Sequence, residues 1–263
     1  MNQLNGYESY AALIYVTQTE EQAVLRMFDW KELTIPGDDQ LYRETYIIRD
    51  GSRLRVICAK QDEMGMTASA ALTMKMIFHF KPEYVIMPGI AAGTGLLKEP
   101  ERQEYGDVLL ADSVWNFSNG KFVSPHKAEI RFGEIGFLPR PSMLKITGDY
   151  MTPVTEYITS DQNQFYVHYG PLATGTAVVA NLSVLQKQVI TGYEETEGVE
   201  MEGYGVAYAA AHACEPKPHV IIAKSVCDFA DEKKDDSYQK FAAYTSCGFI
   251  KDLLETVLNY TCD

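Results

Sequence analysis

The chain has 263 residues, of which 46% are hydrophobic and 22% charged; this suits a single α/β domain with a sizeable core and excludes a disordered or fibrous chain. A formal net charge of −13 leaves no electrostatic footprint for nucleic acid or an anionic membrane, although a few lysines in a pocket would still hold a nucleotide locally. No run of 18 apolar residues occurs, and the opening MNQLNGYESYAALIYV has no charged segment before a long apolar stretch, so neither a transmembrane helix nor a signal peptide is expected.

In chain order, Ala11–Val16 is an unbroken apolar run and predicts a buried strand. Thr19 can cap the helix that follows, with Glu20 and Glu21 favourable in its first turn. Thr45–Ile48 and Arg53–Ala59 flank Asp50-Gly51, a hairpin signal. Met64–Phe80 reads as a helix, and Glu83–Met87 as a second buried strand that ends in a Gly/Ala-rich turn, PGIAAGTG. Asp107–Val114 is a third strand. From about 116 to 169 no period stands out, and mixed helix and coil is expected. Leu182–Thr191 reads as a helix with Asn181 as its cap, Gly198–Glu202 as a short strand-like segment, and Gly203–His212 as a helix. His219–Ala223 is a late buried strand. From about Asp236 a long helix presents Phe241, Tyr244, Ile250, Leu253 and Leu254 on an apolar face. Buried strands alternating with helices imply one α/β domain with a largely parallel sheet covered on both faces. In such folds ligands gather at the C-terminal ends of the strands.

Four segments meet that condition. Thr17-Gln18-Thr19-Glu20-Glu21 follows the first strand; its carboxylates are either a general base for water or simple partners of the helix dipole. Pro88-Gly89-Ile90-Ala91-Ala92-Gly93 follows the second; small residues such as Ala91 and Gly93 let a ligand approach the backbone, or merely allow tight packing. Val199-Glu200-Met201-Glu202 carries two carboxylates two apart, which a strand would turn to one face. Vicinal sugar hydroxyls are natural partners for such a carboxylate, and an exposed surface is the plainer alternative. Cys227-Asp228-Phe229-Ala230-Asp231 follows the late strand; Asp228 is a candidate general acid, and Asp231 is better suited to capping a turn. The five histidines share no HExxH spacing, the five cysteines form no CxxC pair, and no GxSxG elbow occurs. Reduced thiols in the cytoplasm, no metal and no cofactor are therefore expected.

Together these segments resemble the nucleoside phosphorylase superfamily. The resemblance rests on KPEYVIMPGIAAG, YGDVLLADSV, ATGTAVV, VEMEGYGVAYA and KSVCDFAD, in that order, with a terminal helix after them. It is closest to the 5′-methylthioadenosine/S-adenosylhomocysteine nucleosidase type. It implies a three-layer α/β/α sandwich with a mixed, largely parallel sheet, a small purine nucleoside or nucleotide as partner, and a homodimer or higher homo-oligomer. By position, Asp228 would protonate the purine N7, and Glu202 would bind the ribose 2′- and 3′-hydroxyls with Met201 beneath the sugar and Glu200 orienting the segment. Glu21 would activate water, or Glu20 with one residue of slip. Val178 and Val179 would contact the purine, and Tyr238 the 5′ side of the ribose.

Several positions depart from the family pattern. Phosphorylases of this superfamily hold phosphate with an Arg and a Ser around the Gly-rich turn; Met87 and Ile90 stand there, and an apolar pair cannot bind a dianion. Water is therefore the expected nucleophile, and a phosphorylase is the further alternative. Val178 replaces an aromatic residue that stacks on adenine, and Lys224, expected on the purine or 5′ side with Ala91 and Gly93, stands where an Arg is common. The EKKDD stretch before Tyr238 offers Lys233 and Lys234 to 5′-phosphates, or is a solvated turn. This tail also looks like phosphorylase-like effector domains of bacterial defence systems, which deplete nucleotides.

Overall fold

The structure, a computed structural model, describes residues 6–97, 103–123, 136–232 and 236–261. Every residue of Ser9–Tyr15 is buried, so this stretch can only lie between two layers; it forms β1. Helix α1 (Gln18–Leu25) is capped by Thr17 rather than by Thr19. The Thr17 hydroxyl accepts from the Glu20 N–H at 3.1 Å and the Glu20 carboxylate accepts from the Thr17 N–H at 2.8 Å, a reciprocal capping box. Then come β2 (Lys31–Leu33), β3 (Tyr42–Arg49) and β4 (Ser52–Lys60). The β3–β4 hairpin turns on Asp50 and Gly51 at φ 52° and 84°, the two positive values a tight two-residue turn demands.

Helix α2 (Met66–Phe80) leads to β5 (Pro82–Gly93). The strand does not stop at Met87. It runs on through the Gly/Ala-rich segment because Gly89–Ala92 remain in register with the late strand. Next are β6 (Val108–Asn116), β7 (Gly120–Val123), β8 (Gly136–Pro139), β9 (Ser142–Lys145), α3 (Thr152–Ile158) and β10 (Val167–Thr174). The region read as mixed helix and coil thus holds a small β7–β8 ribbon, a strand, β9, that pairs with β6, and one short helix. The β7 and β9 strands are short and mostly exposed, so they lack the apolar run that reveals a buried strand.

The last third contains α4 (Leu182–Val184), continued as a wide turn over Leu185–Ile190, then β11 (Gly198–Glu200), α5 (Gly203–His212), β12 (His219–Asp228) and α6 (Gln239–Asp252). Asn181 caps α4, its side-chain oxygen accepting from the Val184 N–H at 3.1 Å. The main sheet runs β11-β10-β6-β12-β5-β1-β4-β3-β2. Pairs around β1, β5 and β10 are parallel, whereas β12 meets β6 antiparallel and the β2–β3–β4 edge is antiparallel. β11 also pairs antiparallel with β5, Gly198 opposite Gly93 and Val199 opposite Ala92. That contact closes β5, β12, β6, β10 and β11 into a ring.

Helix α1 packs with α6 and α2 with α5, and each group rests on the strands, which gives three layers. No helix among the described residues is long and apolar enough to cross a membrane. On α6 and the turn after it, Ile250, Leu253 and Leu254 are fully buried, but Phe241, read as part of the apolar face, is 55% exposed. Leu254→Ala is therefore expected to cost about 2–5 kcal/mol of stability, and Phe241→Ala a small fraction of that, in urea denaturation of the two variants.

Candidate active site

A cleft of about 260 Å³ opens where β1, β5, β10, β11 and β12 converge. Its wall takes Val16 and Thr17 after β1, Ile90–Ala92 of β5, Ala177–Val179 after β10, Val199–Glu202 and Cys227-Asp228. The rim takes Met64, Asp236 and Gln239.

Between the two carboxylates at the start of α1, the structure separates the roles. Glu20 is 2% exposed and lines the cleft. Glu21 does not; it faces Arg43 at 3.5 Å and Lys60 at 3.2 Å on another side. Successive helical residues point about 100° apart, and the capping box turns Glu20 back over the end of β1. The T-x-x-E spacing from Thr17 carries this signal in the sequence. Glu20 Oε2 accepts from the N–H groups of Val16 (3.0 Å) and Thr17 (2.8 Å), and Oε1 from that of Ile90 (3.0 Å).

Lys224 is fully buried, with its Nζ 4.0 Å from Glu20 Oε1 and without a hydrogen-bond partner among the described residues. Burial works against its ammonium, yet the Glu20, Glu202 and Glu200 carboxylates outweigh that and raise its pKa above the usual lysine value. Gly89, at φ 152°, makes room for this pair: a Cβ there would collide with Glu20 Oε1 and lie 2.8 Å from Lys224 Nζ. Lys224 thus lies beneath the Glu20 side of the cleft, not on the wall where a purine or 5′ contact would form.

Glu200 and Glu202 both line the cleft. Glu200 serves the backbone: it accepts from the N–H groups of Glu202 (2.8 Å) and Gly203 (2.7 Å) and from the Thr174 hydroxyl. This holds the β11–α5 corner. Glu202 accepts from the Gly65 N–H at 2.9 Å. Burial pushes its pKa up to about 7, helped by the carboxylates of Glu200 and Glu20 and opposed by Lys224. Met201 lies on the wall between them.

Asp228 is 3% exposed. Its Oδ1 accepts from the Ala230 N–H at 2.9 Å, and its Oδ2 from the Cys227 thiol at 3.3 Å. Ala91, Val178 and Val179 make an aliphatic wall. Gly93 does not reach the cleft; a Cβ there would press on Gln103, Val226 and Phe229. Tyr238 stacks on Tyr105 at 3.8 Å instead of lining the cleft, although Asp236 and Gln239 on either side do. Of the pair behind the phosphorylase argument, Ile90 is on the wall and Met87 is inside the core. Lys233 and Lys234 lie outside the described residues. Thr17, Met64, Ala92, Ala177, Asp236, Gln239 and the thiol of Cys227 also line the cleft, although the sequence assigns none of them a role of its own. Met64 and Gln239 carry no local sign of a site; only the folded chain brings them to the rim. Among the described residues no group of three or more His, Cys, Asp or Glu could hold a metal ion.

The y4jS protein of Sinorhizobium fredii is 29% identical over 246 residues, which is 88% of this chain and 57% of that protein. The ATP nucleosidase Cap17 of Escherichia coli is 22% identical over 237 residues, 80% of this chain and 43% of its own length. The chain thus spans about half of these relatives. Among solved structures, the 5′-methylthioadenosine/S-adenosylhomocysteine nucleosidase of Neisseria meningitidis, in complex with methylthio-immucillin-A, shares the fold at a TM-score of 0.73. It is 20% identical, over 95% of this chain and all of that one. The family model of the phosphorylase superfamily matches residues 11–259, and the chain belongs to that superfamily.

Proposed function

We propose that the chain hydrolyses the N-glycosidic bond of a purine ribonucleoside, releasing the free base and ribose. The observation that carries this reading is the state of Glu20. A carboxylate has about four acceptor positions, and three are filled by main-chain N–H groups. Glu20 lines the cleft, so a water entering there could bond to its Oε1, to which the described residues give one hydrogen bond. A fixed anion beside the apolar Ile90 repels phosphate and accepts a proton from water.

The bond change then distributes over the cleft. As C1′–N9 breaks, its electron pair leaves with the base, and Asp228 supplies the proton that N7 takes up. Glu202 holds the 2′- and 3′-hydroxyls. The positive charge that develops on the sugar is met by Glu20, Glu200 and Glu202, with one buried ammonium opposing them. Water bonds to C1′ as its proton passes to Glu20. The likeness to the nucleosidase fold supports this reading. The similarity to an ATP nucleosidase over 80% of the chain favours a second one, in which the substrate carries 5′-phosphates.

The test is incubation in phosphate-free buffer with methylthioadenosine, adenosine, inosine, AMP and ATP, following free base by chromatography. Base from a nucleoside without phosphate supports hydrolysis; base from AMP or ATP alone supports the second reading; a strict phosphate requirement overturns both. Asp228→Asn is expected to lower turnover by about 10²–10⁴-fold with nucleoside binding retained, read as a kcat loss at similar KM.

Glu202 gives a pH prediction. Its carboxyl titrates near 4.5 when unperturbed and near 7 in the fold, so folding favours the protonated form. The stability it contributes is complete below about 4.5 and is lost as pH rises toward about 7. Glu202→Gln should remove that slope from thermal unfolding measured across this window. Only the ionised carboxylate accepts from both sugar hydroxyls, so in wild-type protein nucleoside affinity should rise through the same window.

A further inference from the structure

The end of β12 is irregular. Val226 is in register with Ala91 of β5 and Asp228 with Ala92, so Cys227 is the extra residue of a β-bulge. In a regular strand neighbours point to opposite faces, yet Cys227 and Asp228 both line the cleft. A bulge re-aims a side chain in this way. The thiol, 3.3 Å from Asp228 Oδ2, donates to one oxygen of the carboxyl, and the Ala230 N–H at 2.9 Å holds the other. Ala230 takes up a φ of 54° although it is not glycine. Both neighbours are thus bent around a single carboxyl group.

We propose that Cys227 is a positioning residue for Asp228, resting on the reading of Asp228 as the proton donor. The thiol fixes the plane of the carboxyl, and so the direction in which its proton faces the base. A thiol suits this task because it is a weak, neutral donor. A cationic donor at the same place would hold the carboxylate ionised and oppose proton transfer to the base.

The test is a mutant cycle on the full chain, run with whichever of methylthioadenosine, adenosine, inosine, AMP and ATP releases base fastest in phosphate-free buffer. Cys227→Ala should lower kcat about fivefold, the worth of one ordinary hydrogen bond, with KM unchanged. Cys227→Ser, which keeps a donor, should restore most of the loss. In the Asp228→Asn background Cys227→Ala should change the residual rate very little, because the group it acts through is gone. If Cys227→Ala does not fold, Cys227→Val, a strand former without a donor, takes its place in the cycle. Full kcat in the variant lacking the donor overturns the proposal. So does an equal loss in both backgrounds, which would mark a packing role. A wild-type protein that releases no base from any substrate overturns the reading of Asp228 and this proposal together; an active wild type with an indifferent Cys227 overturns only this one.

Discussion

The cleft depends on one buried arrangement: the Lys224 ammonium under the Glu20 carboxylate, with Glu202 and Glu200 close by. At 4 Å in an effective dielectric of about 20, opposite unit charges attract by about 4 kcal/mol. Removing each ion from water costs several kcal/mol. The ion pair by itself therefore does not hold the arrangement. What does is the set of main-chain donors around the acids, three on Glu20 and two on Glu200. The backbone of β1, β5 and the β11–α5 corner is thus tied to the acids that define the site, and the missing side chain of Gly89 is what lets the strands and the helix meet there.

The closure of the sheet serves the same end. If β11 paired only with β10, the Glu200–Glu202 segment would end at a sheet edge. Pairing with Ala92 and Gly93 of β5 brings it opposite the strand that also carries Ile90. The acids from the start of α1 and from the start of α5 then share one cavity, though about 180 residues of chain lie between them.

Much of this was legible in the sequence wherever consecutive residues carry the signal. Ala11–Val16 is an unbroken apolar run, Tyr84–Met87 of β5 is another short one, and Asp50-Gly51 announces its hairpin. The far half of β5 was not legible, because Gly and Ala read locally as a turn and the strands that hold it extended come more than a hundred residues later. The choice of Glu20 over Glu21 hinged on which threonine caps α1, a question of one residue that the Thr17 capping box decides. Glu202, Met201 and Asp228 were readable as candidates from their place beside small and apolar residues. The partner of Glu202 was not: Gly65 is 137 positions away, and no pattern in one chain reports such a pairing.

The rim of the cleft is built differently from its floor. The acids and the aliphatic wall sit on strands, just after them or in the first turn of α1, whereas Met64 comes from the connection before α2, Asp236 from the connection before α6 and Gln239 from the first residue of that helix. Substitutions and insertions in such connections leave the sheet undisturbed. On the proposed reading, the groups that act on the glycosidic bond and those that meet the far end of the sugar are therefore carried by separate parts of the chain. A change at Met64 or Asp236 would then alter which molecule is held while the floor stays as it is.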